Sequence, residues 1–470
     1  MNRVVPRRIS TVTGKIVPVD VPRLPSGFRF GTVAAAYQVE GASGESDRGV
    51  SIWDRFAQRP GAIVDGSDAS VACDSYHRYP EDIELLRRLG VGGHRFSFGW
   101  SRLQPTGRGP LHPRAVDHYD RYLDALLGAG IAPMATLYHG DLPQALEADG
   151  GWLNRATIDA FATYAQLVGE RFADRVESWV PVQEPNMVAY LGYGLGTWAP
   201  GRRLIFGAVP AIHHIMVAHG RAVTALRAAG ASRIGCANSH KPMWPASEDP
   251  ADVGATKLYD ALWNGIVLEG MLLGRFPVDL MPLAEEVVIE GDMATIRQPL
   301  DFYGVNFYHP QRVAAAPEDT EGDMPFEFLP LLGYPTTEVD WPVVPTSLRE
   351  WLILTRARFR AALPPFVITE NGAAYGMGPD EAGVVDDQPR IDYLSGHIRA
   401  VAEACERGVD VRGYYVGHLL DGWDWENGFS QRYGLVHVDH ATGTRTPKRS
   451  YEWYAGFIAA QQDESEPLPS

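Results

Sequence analysis

Two glutamates stand where a side chain could do acid–base work. Glu184 closes the apolar run of Val182-Gln183-Glu184-Pro185, and Glu370 closes that of Ile368-Thr369-Glu370-Asn371-Gly372; each run stops at a turn signal. A carboxylate at the exit of one barrel strand, matched by a second three strands later, forms a pair that can exchange a proton or attack carbon. Such a pair is useful only when its members differ. A nearby arginine keeps one ionised, while an apolar and like-charged setting keeps the other protonated. Arg95 and Tyr308, at the exits of two further apolar runs, are expected at the same mouth and are read as the supporting groups.

The elements that must hold these residues are short segments rich in Val, Ile, Phe and Tyr, alternating with helical patterns, as in a parallel sheet wound with helices. Eight segments can be counted: Phe28–Val33, Gly93–Trp100, Pro133–His139, Ser178–Glu184, Arg233–Ser239, Phe302–Tyr308, Phe366–Glu370 and Val411–Leu419. Between them Tyr79–Leu89, Val116–Leu127, Ile158–Phe172 and Ala208–Ala229 carry apolar residues at helical spacing, the last followed by Gly230 as a stop. The expected fold is α/β, a single (β/α)8 TIM barrel over residues 26–460, with a disordered leader at 1–25 and a flexible tail at 461–470. Arg95, His139, Glu184, Asn306, Tyr308 and Glu370 then all fall at strand C-termini, the functional face of such barrels. Residues 311–345, broken by Pro317, Pro325, Pro330, Pro335 and Pro342, read as a long structureless connection after strand six: either a lid over the mouth or a surface insertion.

Composition excludes other classes. In 470 residues, 45% are apolar and 21% charged, the balance of a globular enzyme with ample core, and the net charge of −16 speaks against nucleic acid or an anionic membrane as partner. Cys73, Cys236 and Cys405 are odd in number, far apart and not at metal-ligand spacing, so no disulfide framework or metal site is expected; His213-His214 reads as a helix-interior pair. No cofactor is called for. The first residues contain Arg7-Arg8 but no apolar signal core, and no apolar stretch reaches membrane length, which points to the cytoplasm. The expected partner is a small-molecule substrate; oligomeric state is left open.

From Phe28 to Tyr454 the chain resembles glycoside hydrolase family 1, the β-glucosidase type. The resemblance rests on Phe28-Arg29-Phe30-Gly31, Ala36-Tyr37-Gln38-Val39-Glu40-Gly41, Ser51-Ile52-Trp53-Asp54, Tyr76-His77-Arg78-Tyr79, Arg95-Phe96-Ser97, Leu137-Tyr138-His139, Asp141-Leu142-Pro143, Gly151-Trp152, Ala199-Pro200-Gly201, Gly434-Leu435-Val436 and both glutamate strings. It implies a retaining mechanism with Glu184 as acid/base and Glu370 as nucleophile. Arg95 and Tyr308 would steady the nucleophile; Gln38, His139 and the residue before the acid/base would hold sugar hydroxyls, with Asn306 also in the site.

The departures from the family pattern fall at the sugar subsite. Gly140 replaces the Trp after the strand-three His, Gln183 the Asn before the acid/base, Gly417-His418 the Trp-Ser pair on strand eight, and Asp424 the Glu that reads the far hydroxyls. Loss of an indole floor at Gly417 withdraws about 150–250 Å² of contact surface. The extra methylene of Gln183 should move its amide away from the 2-hydroxyl, and the shorter Asp424 should loosen specificity. Trp423 is assigned to the core and Trp425 to substrate stacking, while strand alternation should turn His418 away from the site. Three functions are weighed: a repurposed pseudoglycosidase doing dehydration, elimination or cyclisation on a natural product; a retaining β-glycosidase with unusual specificity; and a binding protein. Retention of the carboxylates with loss of the sugar grip favours the first.

Overall fold

The computed structural model describes residues 22–317 and 324–462, together with Thr11–Val12 and Lys15–Ile16. Eight parallel strands make the barrel: β1 (Arg29–Val33), β2 (Gly93–Ser97), β3 (Ala132–Tyr138), β4 (Ser178–Val182), β5 (Asn238–His240), β6 (Tyr303–Phe307), β7 (Phe366–Asn371) and β8 (Val411–Val416). Each pairs with its sequence neighbours, and β8 pairs with β1. The remaining seam, between β4 and β5, is joined by parallel bridges at Trp179–Ile234 and Gln183–Ala237. The ring is therefore closed, a (β/α)8 barrel.

These strands are buried on both faces, which is why they read as continuous apolar runs rather than alternating ones. Their inward residues form a small separate layer inside the barrel, made of Val33, Met134, Val180, Ala237, Phe302, Val367 and Tyr415. The outward residues join the much larger core shared with the surrounding helices. Two of those helices show how their ends are set. Ser75–Leu89 stops at Gly90 in the left-handed region (φ 79°), and Pro113–Gly128 begins on a proline whose missing N–H costs nothing there.

Three expectations need correction. Residues 311–345 are not structureless: Gln311–Ala315 and Phe326–Leu329 pair antiparallel, and the first also pairs parallel with Met243–Pro245. Pro317, Pro325 and Pro330 flank those strands rather than interrupt them, so the ladder loses no donor. Of the 1–25 leader, Thr11–Val12 pairs with Lys15–Ile16, and the Leu24 N–H donates to Gln461 Oε1; its remaining positions before residue 22 lie outside the described residues. The final helix, Arg449–Gln462, takes in the start of the 461–470 tail, the rest of which also lies outside the described residues.

Close backbone approach fixes β6 against its neighbours. A Cβ at Gly304 would lie 1.9 Å from the Cys236 carbonyl oxygen and 2.7 Å from Thr369 Cγ2. Gly304→Ala is expected to lower stability by ~1–3 kcal/mol through overpacking, read by chemical denaturation. Because Asn306 follows on the same strand and Tyr308 comes just past its end, the variant should lose activity even under conditions where it is fully folded.

Candidate active site

The C-terminal ends of the strands converge on two buried carboxylates. Glu370, on β7, is only 5% exposed and is surrounded by donors. One Nη of the fully buried Arg95 donates to its Oε2, and the Tyr308 hydroxyl donates to its Oε1. Gln183 Nε2 donates to Oε2 at 3.1 Å while its Oε1 accepts from the other Nη of Arg95. His418 Nε2 stands 3.4 Å from Oε1.

Glu184 follows β4 with its backbone in the left-handed region (φ 47°, ψ 58°), a conformation that disfavours side chains other than Gly and turns this one sharply off the strand. The turn is pinned by the Glu184 N–H donating to the Ala237 carbonyl (2.8 Å) and the Val188 N–H donating to the Glu184 carbonyl (3.1 Å). Asn306 Nδ2 donates to Glu184 Oε1 at 2.9 Å, and Asn306 Oδ1 accepts from the Thr369 hydroxyl at 2.7 Å.

The two environments drive the protonation states apart. Burial and the neighbouring Glu370 charge push Glu184 up to about 8. Burial alone would raise Glu370 too, but Arg95 and His418 hold it well below the usual carboxylate range. At neutral pH the pair is therefore one acid and one anion. Burial keeps Tyr308 un-ionised, a donor rather than a second anion. His139 is pushed down to about 3 by burial and by Arg95, so it is neutral and offers one donor and one acceptor nitrogen.

A cavity of about 560 Å³ opens above the pair, within the range of small-molecule sites. Gln38, His139, Asp424 and Trp425 line it together with both glutamates. Gln38 Nε2 is committed to the Trp423 carbonyl (2.8 Å), leaving its Oε1 free. Trp423 is wholly buried and Trp425 packs its ring 4.6 Å from that of Trp53. The expected lid supplies Glu338, Asp340 and Trp341 to the wall.

Four placements differ from the sequence reading. Asn306 stands behind Glu184, bonded to it, instead of facing the cavity. The longer Gln183 has withdrawn its amide to Arg95 and Glu370. His418 lines the cavity, because β8 ends at Val416 and strand alternation no longer governs position 418. Gly417 does not open a vacated floor, since a Cβ there would point at Glu370, 2.7 Å from its Cγ. His213 and His214 sit within a helix, bonded to Asp292 and to the Trp152 carbonyl. Lys241, Trp263 and Trp341 also line the cavity and were missed. Lys241 could have been found from its place just past the fifth strand.

Residues 21–463 match the sequence profile of glycosyl hydrolase family 1. The chain belongs to that family. It is 38% identical over 445 residues to β-glucosidase A of Thermotoga maritima, covering 94% of this chain and 98% of that protein. It is 40% identical to the thermostable β-glucosidase B of Thermobispora bispora, covering 92% and 90%. The solved structure of a psychrophilic β-glucosidase from Micrococcus antarcticus superposes with a TM-score of 0.90 at 41% identity, covering 93% of this chain and 98% of that one.

These relatives overturn the expectation of a repurposed enzyme carrying out dehydration, elimination or cyclisation. Proteins named β-glucosidases share 37–40% identity with this chain over nearly its whole length. The identification as a pseudoglycosidase falls with it. Its main physical support, an emptied platform at position 417, fails because the side-chain direction there runs into Glu370.

The protonation split fixes a pH profile for chemistry that needs acid and anion together. Activity should hold while Glu184 keeps its proton and fall as pH rises through about 8. The Asn306 hydrogen bond favours the ionised form of Glu184, so Asn306→Ala should move this alkaline limb to higher pH. Kcat/KM measured against pH in both proteins reads the shift.

Proposed function

We propose that this family 1 member is a retaining β-glycoside hydrolase of the β-glucosidase type. The observation that carries the reading is the opposite protonation of two carboxyl groups, Glu184 and Glu370, facing one cavity. In this reading Glu370 attacks the anomeric carbon while Glu184 protonates the departing oxygen, forming a glycosyl ester on Glu370 and freeing the aglycone. Glu184, now a carboxylate, takes a proton from water, which attacks the same carbon and releases Glu370.

The change of role has an electrostatic cause. Part of the upward shift of Glu184 comes from the negative charge of Glu370. Esterification removes that charge and lets the Glu184 pKa fall, so the group that gave a proton in the first step stays ionised and is free to accept one in the second. Arg95, Tyr308, Gln183 and His418 steady the anion before attack and receive it again at the end. Gln38, His139, Asp424 and Trp425 are the groups placed to hold the sugar, three by hydrogen bonds and Trp425 by its ring face.

Glu370→Gln removes the nucleophile, and hydrolysis of aryl β-glucosides should fall by several orders of magnitude. Glu184→Gln removes the proton donor, so it should cripple turnover of glucosides with basic leaving groups and spare formation of the glycosyl ester with strongly activated ones, seen as a burst of released phenol. Proton NMR of the first-formed sugar should show the β-anomer. First-formed α-anomer would refute retention, and no hydrolysis of any aryl β-glucoside would refute the reading.

A further inference from the structure

Lys241 is a cation in a cavity whose wall also carries the carboxyl groups of Glu184, Glu338, Glu370, Asp424, Glu426 and Asp340. Its ammonium nevertheless lies within ion-pair distance of none of them among the described residues. It lies over the face of Trp263, whose ring centre is 4.7 Å from Nζ. Glu426, the closest competitor in charge after Glu184, is occupied by the indole N–H of Trp198 at 2.7 Å.

The backbone at this position is held on both sides by one residue. Asn264 Oδ1 accepts from the Lys241 N–H (3.3 Å) and Asn264 Nδ2 donates to the Lys241 carbonyl (2.7 Å). The same amide is fixed by Asp260 at 2.7 Å and by the His240 ring at 2.9 Å. Lys241 thus projects from a clamped loop into the cavity wall, with its ammonium, a donor only, over an aromatic face.

The side of the cavity it occupies follows from charge. The ammonium acts on Glu184 and Glu426, and it is partly desolvated, which pushes it down to about 8. Glu184 is the group beside the departing oxygen, so Lys241 stands where the aglycone leaves. Around it Tyr190, Tyr259, Trp263 and Phe328 give that half of the cavity a ring-lined surface. An aromatic group fits those rings by stacking or edge contact, and a carboxylate on it would meet the Lys241 ammonium.

We propose that Lys241 is an anion-recognition residue of the aglycone half-site and that the preferred substrates are β-glycosides of aromatic carboxylic acids. The proposal rests on the glycosidase reading above and names its leaving-group class. A carboxylate accepting from a partly desolvated ammonium should be worth on the order of tenfold or more in binding.

The test compares 4-carboxyphenyl β-glucoside with its neutral 4-carbamoylphenyl analogue in the intact protein, in Lys241→Met and in Lys241→Arg. Differences in leaving-group reactivity cancel when the ratio of the two kcat/KM values is compared between variants. In Lys241→Met the ratio should move against the carboxylate by about tenfold, chiefly through KM, and Lys241→Arg should restore it. An unchanged ratio, with both substrates losing equally, would show that Lys241 serves Glu184 alone and would overturn the proposal. Calorimetric binding of 4-hydroxybenzoate and 4-hydroxybenzamide to the same three proteins reads the site without catalysis. If neither glucoside is cleaved, the glycosidase reading fails, and this binding arm still decides Lys241: a preference for the anion lost only in Lys241→Met supports the site, and equal binding of both ligands overturns it.

Discussion

A buried guanidinium governs the site. Two carboxyl groups in one water-poor cavity cannot both be charged without a large penalty, and Arg95, fully enclosed by the barrel, decides which one is. It donates directly to Glu370 and to the Gln183 amide that also bonds Glu370, so its charge acts most strongly on the nucleophile side. Glu184, with an amide donor but no ion pair among the described residues, keeps its proton. Removing Arg95 would leave an uncompensated buried carboxylate, a loss on the order of 3–5 kcal/mol. The barrel makes the arrangement affordable because β2, β4, β6 and β7 deliver these groups from independent strand ends.

The fold was legible because parallel barrel strands are buried on both faces and leave unmistakable apolar runs. The least well-defined was the fifth. Residues 233–239 were expected as strand, but the ladder there is reduced to single bridges at Ile234, Gly235 and Ala237, and a regular strand begins only at Asn238. The insertion at 311–345 misread for a related reason: its prolines look like breakers until the strands are seen to lie between them. Where a proline falls relative to a ladder is a tertiary fact that its spacing does not carry.

The site was legible as far as its charges. Glu184, Glu370, Arg95 and Tyr308 are brought into direct contact or close electrostatic coupling, and Gln38, His139, Asp424 and Trp425 face the same cavity. What sequence reasoning could not supply was the direction of side chains beyond a strand end. His418 turns toward Glu370 and Gly417 has no room for the platform its neighbours in the family carry. Comparing residue types with a family pattern shows that a contact has changed; it does not show what has moved in to replace it. Gln183 makes the same point, since its extra methylene takes the amide to the nucleophile instead of leaving a gap.

The bond chain from Thr369 through Asn306 to Glu184 has a mechanical meaning. Thr369 is the residue preceding Glu370, so the acid is tethered, through one side-chain amide, to the backbone that bears the nucleophile. Displacement of one carboxyl relative to the other, on whose separation attack and protonation jointly depend, stretches two hydrogen bonds. The spacing of the working groups thus rests in part on one asparagine, which is carried by a third strand.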